Sequence, residues 1–300
     1  MTIEKGNKKG KLRGVVSAML ILALLASVCQ NVYYYYWGGH TSYMQRPEQV
    51  YLLEAGILRN HLEFEAGEDL AFQYDFTNAE YPELILTYGI DKIAGEGSAF
   101  IRAWRLMNEY APRLKHKGDY RNQAESSAME LLAYSLDNEN NGINCRGKAQ
   151  ILNEMCLALG IYSRKVWIMP ASVYDTECHV VNEVWDTELN KWVMLDITNN
   201  DYWVDETGTP LSILEIREKG AMQEFCTPVK VGDDLSDLHA LREKHGAEVL
   251  YIMKNMAYMQ YCSTYTVGES ERFYGLYPQG LGARELSLIS VRACQQSPVG

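Results

Sequence analysis

The spacing of apolar and polar positions changes several times along the chain, and each change predicts an element. Residues 15–29 form an unbroken apolar run behind a basic head. A helix is predicted over 48–59, and 82–88 reads as a strand or a short helix. From Ser98 the pattern sharpens: Phe100, Ile101, Trp104, Met107 and Tyr110 recur at helical spacing until Pro112 stops them. A second helix is predicted over 125–136, and the polar stretch DNENNGIN, 137–144, is a loop of turn formers. Beyond it Cys145, Ala149, Leu152, Cys156 and Leu159 recur at spacings of four, three, four and three, one apolar stripe of a helix over 145–159 that Gly160 is placed to end. Three β-prone runs follow, SRKVWIMP (163–170), HVVNEVWD (179–186) and KWVMLDIT (191–198), the last two joined by TELN (187–190). Residues 199–220 read as an aromatic loop, a turn at 206–208 and a helix started by Ser212, with Glu215 completing a capping box. A last helix is predicted over 247–261, with Val249, Ile252, Met253, Met256 and Met259 as core rather than ligand surface.

Composition bounds what such a chain can be. With 300 residues, 47% hydrophobic and 22% charged, it can bury a sizeable core. The formal net charge is −11. Residues 1–13 carry a net of about +4, which leaves about −15 on the remainder. An acidic body of that size repels nucleic-acid phosphates, so no nucleic-acid partner is expected. The basic head and apolar run have the layout of a signal peptide or an N-terminal membrane anchor, which predicts export. The run 15–29 is shorter than the ~20 residues of a spanning helix, but the aromatic stretch YYYYW at 33–37 can sit at an interface and extend it. Both readings stand, with a membrane contact through this segment where it is not cleaved. The parts are then 1–30 as signal or anchor, 31–97 as a segment packing on the core, 98–220 as the core, and 221–300 as its C-terminal extension.

The seven cysteines are irregularly spaced and include no C-x-x-C pair, so neither a zinc ribbon nor a disulfide knot is indicated. No motif asks for a metal or a cofactor. Cys156 lies deep in the apolar stripe and reads as a small buried hydrophobe. Cys145 differs by position, because at a helix N-terminus the unpaired N–H groups and the macrodipole favour thiolate and can also stabilise an oxyanion.

A nucleophilic thiol needs a base, and the base an orienting partner. If Thr187 pairs with Asn190 across the hairpin, His179 falls opposite Thr198 and diagonal to Asp196 on one face, within reach of a hydrogen bond. A loop one residue longer or shorter would put the two on opposite faces. Glu183 shares that face and reads as a charge on a partly solvated strand. Cys178 neighbours His179 but points to the opposite face, which argues against a shared ion with Cys145. His61, His116, His239 and His245 show no partner pattern.

Cys145 in NCRGKAQILNEMCLALGIYSRKV, His179 in CHVVNEVWD and Asp196 in KWVMLDIT together resemble the core of the transglutaminase-like superfamily, over about residues 98–217. The resemblance implies a papain-like α+β fold, a central helix packed on an antiparallel sheet. By it Cys145 is the nucleophile, His179 the general base and acid, and Asp196 the residue orienting the imidazole. Arg164 matches a recurrent basic residue of structural rather than catalytic use. One departure stands out. Many relatives place an oxyanion-binding Trp about three dozen residues before the cysteine, where this chain has Glu109 and Tyr110. Trp104, Tyr110 and Asn144 are candidates for the second donor, and Tyr202 and Trp203 for walls of a substrate cleft.

The resulting expectation is an exported or membrane-anchored enzyme that attacks an amide of a peptide or protein substrate, forms a thioester on Cys145 and passes the acyl group to water or an amine. The alternative is a surface-displayed binding module that keeps the fold without turnover. Metal-dependent hydrolysis has only scattered Cys and His residues behind it.

Overall fold

The computed structural model describes residues 4–33, 47–172, 174–268, 272–281 and 285–299, in two units, Met1–Val50 and Tyr51–Gly300. In the first, helix α1 (Glu4–Tyr33) contains a 22-residue apolar segment, Leu12–Tyr33, of mean hydropathy 2.2 with none of it buried. At ~1.5 Å per residue it is ~33 Å long, so the helix reaches the spanning length that the run 15–29 lacks. The remainder of the aromatic stretch, 34–37, lies outside the described residues.

The second unit is built around one sheet. Its strands are β2 (Ser163–Met169), β3 (His179–Asp186), β4 (Lys191–Asp196), β5 (Asp201–Asp205), β6 (Cys226–Lys230), β7 (Tyr258–Cys262), β9 (Phe273–Leu276) and β10 (Ser287–Leu288). Their order is β10-β9-β7-β2-β3-β4-β5-β6, antiparallel throughout except for β9 and β10. A separate parallel pair joins β1 (Gln73–Tyr74) to β8 (Thr264–Tyr265), so residues before 98 are tied to the C-terminal part. This is an α+β fold with a helix on an antiparallel sheet.

The helices of this unit are α2 (Pro47–Arg59), α3 (Tyr81–Tyr88), α4 (Ile90–Ala94), α5 (Ala99–Tyr110), α6 (Ala128–Asp137), α7 (Cys145–Ala158), α8 (Ile213–Met222), α9 (Leu238–Lys244), α10 (Gly246–Lys254) and α11 (Val291–Gln295). Each of α5, α6, α7 and α8 starts on a side-chain cap, from Ser98, Ser127, Asn144 and Ser212 respectively, and at Ser212 the full capping box with Glu215 forms. Helix α7 ends just before Gly160, whose φ of 72° is left-handed backbone that glycine adopts without strain.

Helix α7 is not amphipathic in the way its stripe suggests. It packs on β2 and β3 on one side and on α3, α5 and α6 on the others, and every residue from Gly147 to Leu157 is buried. Lys148, Gln150, Asn153 and Glu154 are therefore interior polar groups. Strand β3 is buried along its whole length because both faces of the sheet are covered. On one face Val184 and Leu195 join the core around α7, and Asn182 Nδ2 donates to Ala149 O at 2.9 Å. On the other, Val181 and Met194 join a second core with α8 and α10.

Two expectations are corrected by strand pairing. The helix predicted over 247–261 stops at Lys254, and Tyr258–Cys262 forms β7 between β2 and β9. The five apolar residues named there are nevertheless all buried. The aromatic loop after Asn200 is strand β5, paired with β6, and Trp203 within it is 0% exposed. Glu183, expected to be partly solvated, is 1% exposed: its Oε2 accepts from Arg164 Nε and Nη2 at 2.9 and 2.6 Å, and Oε1 accepts from Ile213 N. The Arg164 guanidinium lies 3.9 Å from the Trp192 ring centroid and also donates to Cys294 O.

Candidate active site

The β3–β4 hairpin sets the geometry. Its ladder runs Asp186↔Lys191, Trp185↔Trp192, Val184↔Val193, Glu183↔Met194 and Asn182↔Leu195, the register that closure between Thr187 and Asn190 requires. Asp196 then turns to pair with Asp201 on β5, which leaves its side chain on the His179 face. His179 Nε2 and Asp196 Oδ2 are 2.7 Å apart, with the side chains 2% and 0% exposed.

The remaining acceptor sites of Asp196 are met locally. Oδ1 accepts from the backbone N–H groups of Thr198 and Asn199, and Oδ2 also from Asn199 Nδ2 at 2.8 Å. Burial pushes the Asp196 pKa up, but the His179 charge and these hydrogen bonds outweigh it and hold the carboxyl below its usual range. The Tyr251 ring packs edge-on against His179, 5.4 Å between centroids.

Cys145 is the first residue of α7, and Asn144 Oδ1 caps the helix by accepting from Gly147 N at 3.0 Å. The His179 ring and the Val180 N–H lie near enough to the thiol to act on its ionisation. With Nε2 on Asp196, the nitrogen left for sulfur is Nδ1. Burial raises the Cys145 pKa, but the hydrogen bond and charge of His179 and the Val180 N–H together bring it below the ordinary thiol value. Burial lowers the His179 pKa, yet Asp196 and Cys145 reverse the shift and raise it to about 10. The arrangement favours a thiolate beside an imidazolium.

These groups sit at an open cleft of about 720 Å³ walled by Trp167, Glu177, Tyr251 and Asn199. Cys178 also reaches it, and burial raises its pKa. Among the described residues no group of three or more His, Cys, Asp or Glu side chains could hold a metal ion, and all seven cysteines are free.

The other candidates fall elsewhere. Trp203 is interior, and Tyr202 packs on Phe100 and Trp104, with centroids at 5.1 and 5.9 Å, so neither walls the cleft. Trp104 does not line it, and its buried Nε1 has no hydrogen-bond partner. Tyr110 is core, its hydroxyl donating to Tyr88 O at 3.2 Å. Asn144 does line the cleft.

Three groups escaped the sequence reading. His116 lines the cleft. Lys148, one turn along α7 from Cys145, is 2% exposed; burial lowers its pKa, against the pull of Asp196 and Cys145. The Asp201 pKa is raised well above the usual carboxylate range by burial and by the Asp196 charge across the ladder. None has a local motif. Each is brought in by chain distant in sequence or by the stacking of α7 on the sheet.

Residues 91–197 match the model of a family described as the transglutaminase-like superfamily. Among curated proteins none matches the chain significantly. A solved structure, "a Putative Cysteine Protease from Cytophaga hutchinsonii", is similar at 13% identity with a TM-score of 0.32, covering 55% of this chain and 59% of that one. That likeness is too slight to bear on the chemistry.

Proposed function

The chain carries a domain of the transglutaminase-like superfamily over residues 91–197, and from that premise we propose that it is a cysteine acyl-transfer enzyme acting on amide bonds of peptides or proteins. The observation that supports this reading most is the assembly of Cys145, His179 and Asp196, whose mutual influence lowers the thiol and carboxyl pKa values and raises that of the imidazole. In the proposed reaction the Cys145 sulfur adds to the carbonyl carbon. His179 then gives its proton to the departing amine and a thioester remains. Water or a second amine, deprotonated by His179, attacks the thioester and expels the thiolate. Hydrolysis is the preferred outcome, since the cleft is open to water and nothing in it marks an amine site.

Labelling with iodoacetamide and locating the adduct by mass spectrometry tests the nucleophile. The expected result is fast modification of Cys145 that His179→Ala slows. Preferential modification of any other cysteine would sink the proposal. The binding-module reading draws on Glu109 and Tyr110 standing where the resemblance expects an oxyanion-binding tryptophan, but a module without turnover has no use for a buried imidazole–carboxylate pair that costs several kcal/mol to desolvate.

We also propose that the N-terminal helix directs export, as signal or anchor, with the acidic unit outside the membrane. Fractionation that found the full-length protein soluble in the cytoplasm would contradict this.

A further inference from the structure

Acyl transfer through a thiolate places negative charge on the carbonyl oxygen, and sites of this kind hold it with two preorganised donors. The first donor is built in, since the N–H of Cys145 at the start of α7 has no carbonyl partner within the helix. Of the residues nominated from sequence for the second, Trp104 packs away from the cleft and the Tyr110 hydroxyl is engaged by Tyr88 O, while Asn144 lines the cleft with its Oδ1 taken by Gly147 N as the cap of α7.

We propose that the His116 side chain is that second donor, presenting an imidazole N–H to the carbonyl oxygen of an acyl group bound at Cys145. The inference rests on the acyl-transfer reading of the same site. Its first support is backbone placement. His116 forms a parallel bridge with Ile143, two residues before Cys145, with Ile143 N donating to Lys115 O at 3.0 Å and Lys117 N to Ile143 O at 2.9 Å. The segment 115–117 is thus bonded directly to the approach of the nucleophile.

The second support is a close contact that only glycine permits. A Cβ at Gly142 would meet Lys117 Cβ at 2.7 Å and Lys115 O at 3.2 Å, so the bridge forms at this distance because residue 142 has no side chain. The third is the environment of the ring, which lines the cleft with Cys145 and His179. Burial and the positive charges of Lys148 and His179 lower the His116 pKa, against a smaller pull from Asp196. A neutral imidazole donates one N–H without competing as a base, and is a competent electrophile toward a carbonyl oxygen. No proton is transferred in this role. As sulfur bonds to carbon, the carbonyl π pair moves onto oxygen and is held by the two N–H groups. On collapse the leaving group departs and takes its proton from His179.

The test compares two reactions of the same thiol in native protein, His116→Ala and His116→Gln. Acetylation of Cys145 by p-nitrophenyl acetate passes through an oxyanion; alkylation by iodoacetamide does not. The expected result is that His116→Ala slows acetylation by roughly 10²–10³-fold while alkylation changes less than about threefold, and that Gln, which keeps an N–H, recovers part of the loss. Gly142→Ala should shift the two rates in the same direction as His116→Ala. Acetylation unchanged in His116→Ala, or both reactions falling together, would overturn the assignment. A native protein alkylated at Cys145 but never acetylated would overturn the acyl-transfer reading and His116's part with it, a result distinct from the others.

Discussion

Asp196 holds the His179 ring from one side only: Nε2 is 2.7 Å from Oδ2, and the rest of the carboxylate is committed to Thr198 and Asn199. The ring is therefore fixed in the orientation that leaves Nδ1 to the thiol. Charge follows from this. The Cys145 pKa is lowered from its ordinary 9.0 and that of His179 is raised to about 10. Alkylation should thus keep its thiolate-dependent rate at pH values below the ordinary thiol range. Acyl transfer needs the imidazolium proton for the leaving group, so it should persist into alkaline solution and fall as pH passes about 10. Asp196→Asn removes the charge that raises His179. Its acid limb should move up, its alkaline limb down, and turnover should drop by roughly 10³–10⁴-fold with the fold retained. pH–rate profiles of both proteins check this, and coincident profiles would refute it.

Chemistry and packing should separate on α7. Cys156 is 0% exposed and burial pushes its thiol up to about 12, so it is inert. Cys145→Ala should abolish turnover while unfolding near the native midpoint; His179→Ala should abolish turnover too, but at a cost in stability, because it strands the buried Asp196 carboxylate. Cys156→Ala should keep activity and cost roughly 1–2 kcal/mol. Kinetics paired with denaturant unfolding reads both quantities, and full activity in Cys145→Ala would remove the nucleophile assignment.

The grouping of Cys145, His179 and Asp196 was legible because its members carry local signals: an apolar stripe that begins at Cys145 after a polar loop, and a hairpin whose loop length fixes which face His179 and Asp196 share. Period-based reading also found α5, α7 and the capping box of α8, where local and tertiary preferences agree. It failed where pairing partners lie far along the chain. Tyr258–Cys262 has helix-compatible spacing, yet β2 and β9 flank it and a strand satisfies their backbone groups. Trp203 looked like a cleft wall because aromatic loops often are one; β6 and α8 enclose it instead. His116 had no signal at all, since its place depends on a bridge to Ile143 that nothing within 112–118 announces.

The Arg164–Glu183 pair is fully interior, at 1% exposure on both sides, and each partner has a second task, at Cys294 O and Ile213 N. Removing one charge strands the other in a low-dielectric core. Glu183→Gln should therefore destabilise by about 3–5 kcal/mol. The double variant Arg164→Leu, Glu183→Leu should cost less than the sum of the two single substitutions, because neither charge is then left alone. Arg164→Lys should not rescue, since an ammonium cannot stack flat on Trp192 while keeping two bonds to Glu183. Denaturant unfolding of the full cycle measures the coupling, and additive losses would contradict the argument.

Glu154 makes stability depend on pH in a window of its own. Its carboxylate, 1% exposed, accepts from Ala128 N at the start of α6, from Gly268 N and from Gln150, which in turn takes Lys165 Nζ. Burial raises its pKa from 4.5 to about 7 despite these bonds. A carboxyl with a raised folded-state pKa contributes stability that is fully present below its unfolded value and is lost as pH rises through the folded one. The loss therefore lies between pH 4.5 and about 7 and levels off above. Its size is at most about 3 kcal/mol, from the free energy of moving a proton between groups whose pKa values differ by that much. Glu154→Gln does not titrate and carries a constant cost for the N–H it turns toward a donor. The difference in unfolding free energy between native protein and variant should therefore shrink steadily from pH 4.5 to 7 and then stay flat. Asp201, whose pKa is also raised, titrates in both proteins and cancels from the difference. Parallel curves across the window would mean that Glu154 is already ionised at pH 4.5, and that the bonds from Ala128, Gly268 and Gln150 outweigh its burial.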